Sequence, residues 1–265
     1  MLPHFTLFGL ELHSYVLAAL LAASPAGALR WAALGRAGWP KGLRAGTLAA
    51  MCAAFLLGAR LWNLLAAPDS YGPDRPWHTL RLTGLSLYGG IFGAFLPLLA
   101  ASKLGKKDLR TALDAFTLPA AAAFCIARAG CFLNGCCRGN PTRLPWGVVF
   151  PSPLDEETLR ALGLAAFRQP VHPTQLYELL GAAAGIPLAL WAAKRFSLPA
   201  GGRFLVYGVW FSAVRLAVLP LRALRYPGWV RWGLYPAVYL AIIAGGLLLL
   251  GRARRKKART EIHGP

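Results

Sequence analysis

Acidic side chains are scarce in this chain: Asp and Glu number ten among 265 residues, and charged residues of either sign make up 15% of it. Soluble domains draw about a quarter of their residues from Asp, Glu, Lys and Arg, so there is too little polar surface here for a water-facing globule. The alternating apolar and polar runs of barrel strands are missing too, which excludes a transmembrane β-barrel. The N-terminus has no basic segment and no clear small-residue cleavage site, so its first apolar run is expected to be a retained helix and not a removed signal peptide. No internal repeat or break in composition marks a second domain, and residues 1–265 are expected to form a single membrane domain.

What is present is hydrocarbon. Hydrophobic residues reach 56% and the mean hydropathy is +0.47. Runs long enough to span a bilayer, which takes about 20 helical residues, occur seven times, over Leu12–Leu34, Ala45–Ala67, Thr83–Leu104, Leu109–Phe132, Pro173–Ala193, Phe204–Leu221 and Leu234–Leu250. Backbone groups in lipid must be satisfied within the segment. The fold class is therefore all-α, a polytopic membrane helix bundle of about seven transmembrane helices. Pro25, Pro97, Pro119, Pro187 and Pro220 fall in or beside these runs and are expected to break or kink some of them.

Lys and Arg collect in cytoplasmic loops. Placing the basic tail Arg252–Arg259 inside puts the N-terminus outside, and the basic loops around Arg36, Lys106 and Arg195 then all fall inside. The outside receives Asp69, Asp74, Asp155, Glu156, Glu157 and the loop over about 134–171, whose Leu154–Phe167 portion is expected to form a short interfacial helix. Topology and attraction to anionic membrane lipids account for the net charge of +19, so no nucleic acid partner is implied.

Two polar blocks interrupt the apolar pattern, Arg128-Ala-Gly-Cys-Phe-Leu-Asn-Gly-Cys-Cys-Arg-Gly139 and His172-Pro-Thr-Gln-Leu-Tyr-Glu178. An arginine within a membrane segment is costly unless it meets a wet cavity or an anion, so Arg128 marks a functional site; the natural anion is a lipid phosphate. Of the five cysteines, Cys52 and Cys125 sit within apolar runs and are expected to be buried small hydrophobes. Cys131, Cys136 and Cys137 cluster, and a structural role or a disulfide comes first for them, a polar contact to lipid second, a nucleophile last. Zinc is less favoured, because adjacent cysteines fit the usual ligand spacing poorly and no second pair follows.

These blocks, with Leu144-Pro-Trp-Gly-Val-Val-Phe-Pro151, Gly58-Ala-Arg-Leu61, Gly84-Leu-Ser-Leu-Tyr-Gly-Gly90 and Asp114, resemble the prolipoprotein diacylglyceryl transferase family over most of the chain. The resemblance implies an enzyme of the bacterial cytoplasmic (inner) membrane. It would move the diacylglyceryl group of phosphatidylglycerol onto the lipobox cysteine thiol of a preprolipoprotein and release glycerol phosphate, with no cofactor and no metal. It also implies substrate-binding roles for Arg60, Arg128, Asn134, Gly139, Gln175, Tyr177 and Glu178.

Arg128 is the first choice for holding phosphate, because a guanidinium offers a planar fork of donors. For Glu178 the expectation is a carboxylate that pairs with Arg60 or Arg128 and orients it. Two readings are open for His172, a donor or base at the phosphate and a packing role ahead of Pro173. The chain also departs from the family pattern. Tyr88 stands where a catalytic histidine is usual, Cys131 where an asparagine is, and Cys136 where a glutamate is. On the sixth helix the family arginine aligns with Arg215 in one register, which places Arg222 on a second arginine, and with Phe211 in the other; Arg215 is carried as a catalytic residue, with Tyr88 and His172, but its usual glutamate partner is missing. The departures leave two rivals, a divergent paralogue with another acceptor and a phospholipid-binding protein without turnover.

Overall fold

Apolar runs of this length leave the backbone no partner but itself, and the computed structural model resolves them as helices. It describes residues 4–7, 10–13, 27–68, 85–150, 169–224 and 226–262. Residues 27–36 form a first helical stretch, α1. After it come α2 (Lys41–Ala66), α3 (Leu87–Leu104), α4 (Leu109–Asn134), α5 (Thr174–Arg195), α6 (Gly202–Val218) and α7 (Tyr235–Ile262). A 3-10 turn, Leu219–Leu221, closes α6, and a π-helical turn, Val230–Leu234, leads into α7. Six helical segments among the described residues are long and apolar enough to cross a membrane. Their large side chains, such as Leu57, Leu65, Leu96, Leu180 and Trp191, are exposed on the bundle's outside, as a hydrocarbon solvent permits.

The first run, Leu12–Leu34, is helical over 27–34 in α1, but its expected start at Leu12 is corrected. His4–Leu7 and Leu10–His13 pair as an antiparallel hairpin, β1 and β2, with His4 opposite His13. Both segments alternate polar and apolar residues, the period of a strand and not of a helix. The rest of that run up to residue 26, the proposed interfacial helix Leu154–Phe167, Pro25 and the acidic positions Asp69, Asp74, Asp155, Glu156 and Glu157 lie outside the described residues. Pro97, Pro119 and Pro187 sit inside continuous helices and do not end them, whereas Pro220 stands in the turn that ends α6.

Lipid tails give apolar helices little reason to associate, so close backbone approach and polar contacts carry the packing. The α2–α3 seam is built on small residues. A Cβ on Gly58 would collide with the Gly89 carbonyl, and one on Gly93 with the Ala54 carbonyl. Elsewhere a carboxylate does the joining. Asp114 of α4, buried in the bundle, accepts from the backbone N–H of Gly201 and of Phe204, each at 2.9 Å. It thus caps the N-terminus of α6 from another helix, satisfying donors that the helix itself leaves open. That contact fixes one end of α6, and Arg215 lies near its other end.

Candidate active site

Glu178, 1% exposed near the start of α5, is the hub of the site. Its Oε2 lies 2.6 Å from Arg128 Nε on α4, and its Oε1 lies 2.6 Å from Arg215 Nη1 on α6 and 3.3 Å from Arg222 Nη1 just beyond the 3-10 turn. Each element has a local reason for its placement. Glu178 is the fifth residue of α5, just past its first turn, and is buried against α4 and α6. Pro220 ends α6 in a tight turn, and Arg222 leaves it extended, at φ −81° and ψ 135°. Gly139 then bridges to Arg222 in β fashion while its N–H donates to the His172 carbonyl at 2.9 Å. A Cβ on Gly139 would meet both the Leu221 and the His172 carbonyl oxygens within 2.7 Å, so glycine is required where the first block passes between the chain at His172 and the chain at Leu221.

Three guanidinium charges surround one carboxylate, an excess of two positive charges in a buried place. Burial and the nearby Arg215 pull Arg222 below the ordinary arginine range, with Glu178 opposing. Uncompensated buried charge is strongly unfavourable. An anion brought to the cluster would be stabilised by that excess, and guanidinium forks suit phosphate oxygens.

The second block divides between two sites. Tyr177, one residue from Glu178 and so on a different helix face, accepts a 2.8 Å bond from Trp146 Nε1 and pairs with His172 Nδ1 at 3.3 Å. His172 is thus bound into a Trp146–Tyr177 group and not onto the arginine cluster. Gln175 is fully buried, its Nε2 donating to the Cys136 carbonyl at 2.6 Å. Thr174 donates to the Cys137 carbonyl at 2.9 Å. Tyr88 is buried beside the cluster, its ring 6.0 Å from the Arg215 guanidinium carbon and its hydroxyl 3.5 Å from Ser212 Oγ. Arg60 lies on α2 and is not among the three ion-pair partners of Glu178.

The glutamate partner that Arg215 lacks on its own helix is supplied by α5. Sequence reasoning held Arg222 as one of two alignment registers and missed Ser212 and Tyr239. Ser212 stands three residues before Arg215, on the same helix face. Tyr239, fully buried, comes from α7, its ring centroid 5.1 Å from that of Tyr88 and tilted at 47° to it; no local pattern marks it.

The cysteines differ from expectation in two respects. All five are thiols, none in a disulfide, and Cys52 is exposed on α2 instead of buried. Cys125 is half-buried, donating to the Leu179 carbonyl at 3.7 Å. The Sγ atoms of Cys131, Cys136 and Cys137 all lie within 4.8 Å of one another. The helix ending explains why. Gly135, at φ 72°, closes α4 with its N–H donating to Phe132 O and the Cys136 N–H donating to Cys131 O. This Schellman pattern brings the residue two beyond the helix back over the last turn, which here stacks Cys136 on Cys131. Asn134 is within hydrogen-bonding reach of Cys136. Cys137, at φ 59°, turns back onto both, and their thiols hold its own well below the ordinary thiol range. Arg128 Nη1 lies 4.0 Å from Cys131 Sγ.

Two cavities open on the helix seams. One, of about 460 Å³, lies between α2 and α3 around Gly58 and Gly93, and one of about 270 Å³ lies between α6 and α7 around Gly208 and Gly245. Both are apolar and neither touches the arginine cluster. Charge and donor geometry, and not open volume, single out the site.

Fold and site together define a multi-pass helical membrane protein with three arginines gathered around one buried glutamate. The chain matches the model of the family described as prolipoprotein diacylglyceryl transferase over residues 3–251, and it belongs to that family. Similar proteins include the phosphatidylglycerol–prolipoprotein diacylglyceryl transferases of Solidesulfovibrio magneticus, 38% identical over 64% of this chain and 61% of that protein, and of Oleidesulfovibrio alaskensis, 33% identical over 78% and 75%. That of Cutibacterium acnes is 28% identical over 78% and 70%. The chain spans about three fifths of the length of the Solidesulfovibrio relative.

Proposed function

We propose that this protein transfers the diacylglyceryl group of phosphatidylglycerol to the lipobox cysteine of a preprolipoprotein, in the cytoplasmic membrane, with the site toward the outer face. The observation that carries the reading is the buried excess of positive charge around Glu178, to which the two blocks contribute Arg128 and Glu178 and the end of α6 contributes Arg215 and Arg222. In this reading Arg128, Arg215 and Arg222 bind the lipid phosphate, and Glu178 holds their forks in register. The acceptor thiolate attacks the glycerol carbon that bears the phosphate ester. The carbon–oxygen bond breaks with its electron pair going to the phosphate oxygen, and glycerol phosphate leaves. The developing charge falls on arginines already in place, which is how preorganised donors lower such barriers. Gly139, Gln175 and Asn134 shape the wall beside the phosphate, and Tyr177 with His172 lines the approach.

The test is incubation of the purified protein with phosphatidylglycerol and a lipobox peptide, with mass spectrometry of the peptide cysteine. A diacylglyceryl adduct that disappears with Arg128→Ala is the expected result, and unchanged transfer by that variant would remove Arg128 from the site. One observation favours the divergent-paralogue reading: Tyr88, in the family's histidine position, is buried against Ser212 and Tyr239. On that reading phosphatidylglycerol is consumed with a different acceptor and the lipobox peptide stays unmodified.

A further inference from the structure

We propose that Cys131, Cys136 and Cys137 form a three-thiolate site for a zinc ion whose fourth position takes the acceptor thiol; the second half of this statement rests on the transferase reading above. Thiolates select zinc and copper(I) among common metals. Zinc–sulfur bonds of about 2.3 Å in a tetrahedron put sulfurs roughly 3.8 Å apart. The three Sγ atoms lie within 4.8 Å of one another, so closing on an ion takes a contraction of about 1 Å at most. The sequence spacing argued against zinc because it counts residues along the chain. The helix ending, not the spacing, brings these sulfurs together.

The backbone carrying the thiols is held from outside. Thr174 and Gln175 of α5 hydrogen-bond the Cys137 and Cys136 carbonyls, and Gly135 fixes the turn between Cys131 and Cys136. Such outer contacts are what orient ligands at a metal. The surroundings match in charge as well. Zinc with three thiolates is a monoanion, and it would stand beside Arg128, part of a cluster with two positive charges in excess. Cys131 is buried and Cys137 exposed, so one side of the triad faces outward. Three protein ligands with an open fourth position are the pattern of zinc sites that act on a bound group.

The reaction has a use for such an ion. A thiol must lose its proton before it can be alkylated. Among the described residues, Glu178 is the one carboxylate at the site and is engaged by three arginines. His172 is tied to Tyr177, and Tyr88 is packed against Ser212. Coordination removes the need for a base, since a metal-bound thiol is deprotonated outright. The acceptor thiol takes the fourth position and its proton leaves to water. The bound sulfur attacks the glycerol carbon, a carbon–sulfur bond forms, the carbon–oxygen bond breaks toward phosphate, and the neutral thioether, a poorer ligand, dissociates. No oxidant or reductant is involved. The cysteines at the family's asparagine and glutamate positions and the loss of its histidine then become one change, a base exchanged for a metal.

The full-length protein, purified in detergent without chelator, is expected to carry about one zinc by elemental mass spectrometry, and Cys131→Ser, Cys136→Ser and Cys137→Ser each to lose most of it. Cobalt(II) in place of zinc should give the visible bands of a tetrahedral thiolate complex, and a lipobox cysteine peptide, but not its serine counterpart, should shift them. Transfer, followed separately on the same peptide, should fall on chelation and return with zinc. Wild-type protein that transfers with neither zinc nor a cobalt spectrum overturns the site and leaves the transferase reading standing. Metal binding that responds to the thiol peptide, with no adduct from any preparation, upholds the site and defeats the transferase reading. Metal binding with transfer indifferent to chelation overturns the activating role.

Discussion

Replacing Glu178 by alanine removes the single carboxylate from among three guanidinium groups, two of them within 2.6 Å of its oxygens. Removing one partner of a buried ion pair costs about 3–5 kcal/mol, because the remaining charge has neither water nor counterion. Here three arginines are stranded together, so the upper part of that range is expected. For a chain of this size 1 kcal/mol corresponds to roughly 2–4 °C, and the variant should unfold some 10–20 °C below wild type in detergent. A bound anion would replace the lost carboxylate in part. Phosphatidylglycerol in the micelle should therefore raise the midpoint of Glu178→Ala more than that of wild type, as binding to the folded state requires. Removing Arg222 as well, by Arg222→Met, should recover part of the loss. Thermal scans of wild type, single and double variants with and without phosphatidylglycerol decide the matter. A midpoint for Glu178→Ala within 2 °C of wild type in lipid-free detergent, as roughly 1 kcal/mol or less implies, would refute the claim that this carboxylate neutralises the cluster.

Other expectations follow from the scaffold. Asp114→Ala leaves one buried and one half-buried N–H group at the start of α6 without their acceptor and should destabilise the protein by about 2 kcal/mol, read as a lower thermal midpoint. Gly93→Leu puts a side chain where the Ala54 carbonyl packs and should separate α2 from α3, seen as loss of a Cys crosslink engineered across that seam. Asp108 caps α4 by accepting from Thr111, whose hydroxyl and N–H hold the carboxyl below its usual range. Its contribution is present above the unfolded pKa, about 3.9, and is lost as pH falls through the lower folded value. Asp108→Ala should accordingly cost about 1 kcal/mol at neutral pH and close to nothing at the acid end of a pH series of thermal scans.

Much of the bundle was legible because a spanning helix is a local object. The runs predicted from Leu109 and Pro173 begin within a residue of α4 and α5, since chain length in hydrocarbon and the polar residues flanking it fix those limits. The start of the first run was misplaced because Leu10-Glu-Leu-His13 alternates over four residues only, too short to stand out against the apolar stretch behind it. Proline does not decide where these helices end: α3, α4 and α5 run on through Pro97, Pro119 and Pro187, as membrane helices can where neighbouring groups re-satisfy the backbone. At the site, Arg128 and Glu178 could be singled out because charge within an apolar run is conspicuous on its own.

The sequence by itself determined a membrane-embedded helical chain with its chemistry in two polar blocks, since apolar length and the rarity of buried charge are properties of short segments. Only the tertiary structure decided who meets whom. It gave Arg215 a glutamate from another helix, added Arg222 to the cluster through the turn at Pro220, set Asp114 on the N-terminus of α6, tied His172 to Trp146 and Tyr177, and folded three cysteines over one helix end. Each of these depends on how helices distant in the chain, or the left-handed residues Gly135 and Cys137, direct side chains in space, and one-dimensional spacing carries no such information.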